Sequence, residues 1–201
     1  MNSFAKPETL VSTALAPLDW TRSVAVVVIF SLLTALAAQI SIPLWPVPIT
    51  GQTFAVTLTG ALLGSRLGAM ALTLYLIEGA SGLPFFSGGG NGIQMLLGPT
   101  GGYLVSFPAA AFITGAFAEQ GWDKRFLTAV AAMAIGSALI LLAGWAWLTQ
   151  FMTPAVAWHA GVSRFIIGDI VKVVLAAAVL PTGWHFLQGR ASRRSQDQTK
   201  L

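Results

Sequence analysis

The chain has 201 residues, 55% of them hydrophobic and only 9% charged, with a formal net charge of +4 and no cysteine. A soluble domain carries about 25% charged residues, so a water-facing globule is excluded and lipid must surround most of the chain. The basic balance does not signal nucleic acid, because Lys and Arg sit in short clusters between apolar runs, not along an aromatic-laced stripe. Absence of cysteine removes disulfides, thiolate chemistry and Cys-based metal sites together.

In chain order, residues 1–22 read as a cytoplasmic N-terminal arm. The first apolar run, 24–40, contains Ala35-Leu36-Ala37, a small-x-small pattern like that at signal cleavage sites, but its length favours a retained helix. Runs 49–63 and 67–80 are short for helices that need about 20 residues to cross about 30 Å of hydrocarbon. As one re-entrant hairpin they would bury Arg66 at membrane depth, which is costly. Two short crossings with local thinning or snorkelling are cheaper. Runs 100–118, 126–151 and 161–187 complete the set. The expected fold is therefore all-α, a polytopic membrane protein of six transmembrane helices in a single domain over 23–188, with a basic cytoplasmic tail over 189–201.

Lys6 and Arg22, then Arg66, then Lys124 and Arg125, then Arg190, Arg193, Arg194 and Lys200 alternate with the segments 41–48, 81–99 and 152–160, which hold neither Lys nor Arg. The positive-inside rule places both termini in the cytoplasm. The segments facing outward are unusual: IPLWPVP over 42–48 and GLPFFSGGGNG over 82–92 are rich in Pro, Gly and aromatics. They serve either as an interfacial aromatic belt or as a lid over an outward-facing pocket.

Little here suggests catalysis. Outside the termini and the last run the acids are Glu78, Glu119 and Asp123; His159 and His185 fall on opposite sides of the membrane, and no spacing suggests a metal site. The glycine run over 88–92 lacks the Gly-Lys-Ser/Thr ending of a phosphate loop. The last run is more informative. Asp169 and Lys172 share a helix face, about 60° apart, and Arg164 lies about 80° from Lys172, nearer the outside. Charges at this depth face a bundle interior and pair with one another or with a substrate. A structural ion pair and a carboxylate-binding lysine oriented by Asp169 both remain open at this point. Small residues also recur at spacings of four, in Ser31-xxx-Ala35 and in Gly60-xxx-Gly64-xxx-Gly68, where helix backbones can approach closely.

The strings IPLWPVPITGQT (42–53), GALLGSRLG (60–68), Tyr75-Leu76, GLP with its glycine run (82–92), LGPTGGYL (97–104) and Gly168-Asp169-xx-Lys172 closely resemble the BioY family. Members of that family are the biotin-binding membrane subunits, or S components, of energy-coupling factor (ECF) transporters. The resemblance covers roughly residues 39–177. It implies a six-helix S component of the prokaryotic inner membrane that captures biotin from outside. A membrane scaffold subunit and cytoplasmic ATPase subunits then energise uptake, and the S component topples in the bilayer to release the vitamin. A solitary biotin transporter is the alternative within the family, and a structural or channel-like helix bundle the alternative outside it. No cofactor is implied.

The family pocket contains a loop Asn and the Asp and Lys of the last helix, which match Asn91, Asp169 and Lys172. Biotin's ureido ring suits an Asn amide and an Asp carboxylate. Its thioether ring suits apolar walls, for which Trp45, Phe85, Phe86, Tyr75 and Tyr103 are candidates, with Gln52 from the signature beside them. Its carboxylate needs a cation, either Lys172 or Arg164. Ser31 and Ala35 on the first helix are the expected docking face for the scaffold, by similarity to other S components.

Overall fold

The apolar runs fold as helices. In the computed structural model, which describes residues 9–15 and 19–198, α1 (Leu10–Ala14), α2 (Trp20–Gln39), α3 (Gln52–Leu63) and α4 (Ser65–Ala80) come first. Then follow α5 (Ile93–Leu97), α6 (Gly101–Glu119), α7 (Phe126–Leu148), α8 (Pro154–Trp158) and α9 (Ile166–Gln198). Between α2 and α3, β1 (Ser41–Ile42) pairs antiparallel with β2 (Ile49–Thr50), Ser41 opposite Thr50 and Ile42 opposite Ile49.

Among the described residues, four stretches are long and apolar enough to cross a bilayer: Trp20–Gln39, Gly101–Glu119, Phe126–Leu148 and Pro154–Leu187. α3 and α4, of 12 and 16 residues, rise only about 18 and 24 Å. They meet at Gly64, whose φ of 85° is one that side chains other than glycine's rarely tolerate. The Glu119 carboxylate at the end of α6 seals that junction, accepting from the Ser65 backbone N–H at 2.7 Å and from its hydroxyl at 2.9 Å.

Local chemistry explains where the helix ends depart from expectation. α2 begins at Trp20, four residues early, because the Asp19 side chain caps it by accepting from the Arg22 N–H at 2.8 Å. The segment 152–160, expected as an outward loop, is largely helical: Thr153 is extended and Pro154 takes the first helical position. A π-helical turn over His159–Ser163 then carries the chain toward α9. α9 continues to Gln198, so the tail expected from residue 189 starts as helix. Within the expected N-terminal arm, α1 packs its buried Leu10 against α3 and α9. Lys6 and Lys200 lie outside the described residues.

α6 is the hub, touching α3, α4 and α7. Its membrane stretch is 61% buried within the chain, against 28–39% for the other three, whose remaining surface is left for lipid. Where every side chain and the surrounding lipid are equally oily, close backbone approach holds helices together. At Gly60 a Cβ atom would come within 2.3 Å of the Ala111 carbonyl oxygen, so α3 and α6 are in backbone contact.

The same physics overturns one expectation. The small-residue face of α2 is turned into the chain: Ser31 and Ala35 are buried, with α2 packed on α4 and α3. A stripe that permits close approach has found an intramolecular partner, so Ser31 and Ala35 are not an open docking face.

Candidate ligand-binding site

At the loop-rich end of the bundle, opposite the end bearing Arg66, Lys124 and Arg125, lies a cavity of about 190 Å³. The β1–β2 connection contributes Pro46 and Val47, and the α4–α5 connection contributes Phe86 and Ser87. Side chains of α6, α7 and α9 supply mainly apolar walls, among them Leu104, Phe107, Ile140 and Phe165. Lys172 is the one charged residue among those lining it.

Three helices build the surroundings of Lys172. Its ammonium donates to Thr53 Oγ1 on α3 at 3.0 Å and stands 3.4 Å from Asp169 Oδ1 on its own helix. The Thr53 hydroxyl in turn donates a hydrogen bond to the same Asp169 oxygen at 3.1 Å. Ser137 on α7 donates to the other oxygen, Asp169 Oδ2. Asp169 is buried, and the Thr53, Ser137 and Lys172 donors around it offset the cost of holding a carboxylate away from water. Lys172 has three N–H groups, and two are accounted for by Thr53 and Asp169, leaving one for the cavity.

A second, largely buried polar chain runs beside the cavity. The Thr50 hydroxyl donates to Gln52 Oε1 at 2.9 Å, Gln52 Nε2 donates to the Tyr75 hydroxyl at 2.6 Å, and Tyr75 donates to the Phe85 carbonyl at 3.1 Å. Gln39, the last residue of α2, grips the α4–α5 connection from its other side. Its amide N–H groups reach the Pro84 and Phe86 carbonyls at 3.4 and 3.3 Å, and its carbonyl accepts from the Gly89 N–H at 3.0 Å. Phe86 is fully buried against Gly79, where a Cβ would come within 2.3 Å of the ring.

Of the residues singled out from the sequence, Lys172, Gln52, Tyr103 and Phe86 line the cavity. Tyr103 is fixed by a hydrogen bond of 2.8 Å to the Gly161 carbonyl. Asp169 stands behind Lys172 and Tyr75 behind Gln52, while Phe85 takes part through its carbonyl. The other three lie outside the lining. Trp45 is 84% exposed, Arg164 is exposed on the solvent or lipid side, and the exposed Asn91 turns its amide back toward the Gly89 carbonyl at 3.5 Å. Asn91 stands out by its match to the family's loop Asn, Trp45 as an aromatic and Arg164 as a cation, but none of these grounds fixes where a side chain points.

Sequence reasoning missed Thr53 and Ser137. Thr53 was in view as the last residue of the 42–53 string. Ser137 carried a weaker signal: it is the one hydroxyl between Thr128 and Thr149 in a run that is otherwise Ala, Leu, Ile, Val, Met, Gly and Trp.

Comparison with known proteins agrees with this architecture. A profile of the BioY family matches residues 6–189. The chain is 43% identical over 159 residues to the probable biotin transporter BioY of Pyrococcus horikoshii, covering 79% of this chain and 93% of that one. It is 38% identical over 153 residues to the biotin transporter BioY of Thermotoga maritima, covering 75% and 89%. Among solved structures it shares the fold of the S-component for biotin from an ECF-type ABC transporter, with a TM-score of 0.73 at 22% identity over 81% of this chain and 90% of the other. With the profile spanning nearly its whole length and relatives this similar matched over most of theirs, the chain belongs to the BioY family.

Proposed function

We propose that this chain is a biotin-binding S component, which takes the vitamin from outside the cell and has no catalysis of its own. The observation that carries the reading is the cavity: mainly apolar walls, a polar chain beginning at the lining residues Thr50 and Gln52, and a single charged lining residue, Lys172, with an N–H to spare. Biotin has the matching parts. Its carboxylate pairs with Lys172, its thioether ring and aliphatic chain fit the apolar walls, and its ureido group, with two donors and one acceptor, fits amide and hydroxyl partners such as Gln52 and Thr50. Asp169 orients Lys172, and Tyr103 and Tyr75 hold the walls. Asn91, Trp45 and Arg164 have no part in the cavity as it stands.

On this reading α2, α3, α4, α6, α7 and the α8–α9 stretch make six crossings of the prokaryotic inner membrane. Both termini are cytoplasmic, because every Lys/Arg cluster is then inside. The chain works with a membrane scaffold and cytoplasmic ATPase subunits, by kinship with its family, and docks them through a surface other than the Ser31–Ala35 face. The test is uptake of labelled biotin by cells that lack their own importer. Accumulation is expected when the chain is produced with a scaffold and ATPases, and absence of uptake and of binding in those cells would refute the reading. Accumulation by the chain alone would favour the solitary transporter instead.

A further inference from the structure

The separation of Lys172 from Asp169 is informative. A lysine fully committed to a carboxylate sits about 2.7–2.9 Å from it, yet here the gap is 3.4 Å and the shorter bond, at 3.0 Å, goes to the neutral Thr53 hydroxyl. Asp169 is a residue of the same helix three positions away, so proximity alone allows a closer pair. Its carboxylate is held from two other helices instead: Thr53 of α3 binds Oδ1, and Ser137 of α7 binds Oδ2. Ser137 is buried behind the cavity wall and does not line it.

We infer that Ser137 is a positioning residue for ligand selectivity: by holding the second oxygen of Asp169 toward α7, it keeps that carboxylate from closing on Lys172 and leaves the ammonium for an anionic ligand group. Without the Ser137 hydroxyl, a buried carboxylate oxygen loses its donor, and the Lys172 ammonium, already 3.4 Å from the other oxygen, is a donor within reach to replace it. The carboxylate then turns, takes the lysine in a closer ion pair and withdraws positive charge from the cavity. Apolar walls and the Gln52–Tyr75 chain are untouched, so recognition of the uncharged parts of a ligand persists.

The inference rests on the reading of Lys172 as the partner of the biotin carboxylate, and the experiment separates the two. Purified Ser137→Ala protein is titrated with biotin and with biotinamide, whose neutral carboxamide replaces the carboxylate. Affinity for biotin is expected to fall about tenfold, the scale of one lost charge-assisted hydrogen bond, while affinity for biotinamide changes little. Ser137→Thr, which keeps the hydroxyl, is expected to retain the preference for biotin. A serine with a merely structural role would weaken both ligands together; that result, or an unaltered ratio of affinities, overturns the inference. Should Ser137→Ala not fold, Ser137→Cys carries the same test with a weaker donor of similar size, and a preference equal to that of the unaltered protein overturns it equally. Lys172→Ala is the control: if it keeps the full preference for biotin over biotinamide, the reading of Lys172 fails, whatever Ser137 does.

Discussion

Charged groups inside this chain are few enough to be taken one at a time. Asp123, in the turn between α6 and α7, is 1% exposed; the Trp184 indole donates to its Oδ2 at 2.6 Å, and its Oδ1 has no partner among the described residues. Burial pushes its carboxyl above the ordinary range, more than the Trp184 hydrogen bond and neighbouring Lys124 pull it down. The folded chain therefore holds this proton more tightly than the unfolded chain. Stability from the group is full in acid and is lost as pH climbs from the usual carboxylate value through the raised one. Asp123→Asn keeps an acceptor for Trp184 and removes the charge. Thermal denaturation should show it more stable than the unaltered protein at neutral pH, with the gap closing toward acid pH; a variant less stable at neutral pH would contradict this. How such residues were legible depends on whether their partners are local. The Asp169–Lys172 pair could be read from a spacing of three in an apolar run, but Thr53 and Ser137 lie 116 and 32 positions from Asp169, on helices whose rotation no local pattern reveals.

At the scale of elements, the α4–α5 connection is held by the end of a different helix. Gln39 makes three hydrogen bonds to its backbone, and Phe86 then fills the space over Gly79. Gln39→Ala should loosen this connection over the cavity and speed escape of bound ligand. A chase of labelled biotin should show dissociation faster by about fivefold, the effect of one neutral hydrogen bond of roughly 1 kcal/mol. An unchanged rate would mean that the connection does not gate the cavity. Composition marked this segment and the 42–48 segment as a lid or an aromatic belt, because Pro, Gly and aromatics without charge are poor material for a solvated loop; of the latter, Ile42, Leu44 and Trp45 stay exposed and only Val47 is buried. What grips the α4–α5 connection was not legible, since a glutamine at a helix end has the same local signature whether it faces water or a neighbour. The helices themselves were legible from apolar runs. Their junctions were less so: the Asp19 cap, the Pro154 start and the Gly64 turn each moved an end by a few residues.

For the whole molecule, the alternation of basic and charge-free segments sorts the loops onto two ends of one bundle, and the cavity opens among the charge-free ones. The chain has no cysteine, so single replacements at exposed positions report sidedness without background. Ser81→Cys should react with an impermeant thiol reagent on intact cells and Gln120→Cys should not; the reverse pattern would invert the orientation. A stripe of small residues, by contrast, was ambiguous in the sequence, because close packing within a chain and between chains demands the same side chains. The fold brings Ser31 and Ala35 inside, and so leaves the cavity as the feature on which function turns. Its central claim is that Lys172 binds the ligand carboxylate there. Equilibrium titration of the purified protein and of Lys172→Ala with biotin tests this most directly. Tight, saturable binding by the unaltered chain is expected, with affinity lower by about one to two decades in a variant that folds normally. Equal affinity in a well-folded Lys172→Ala protein would contradict it.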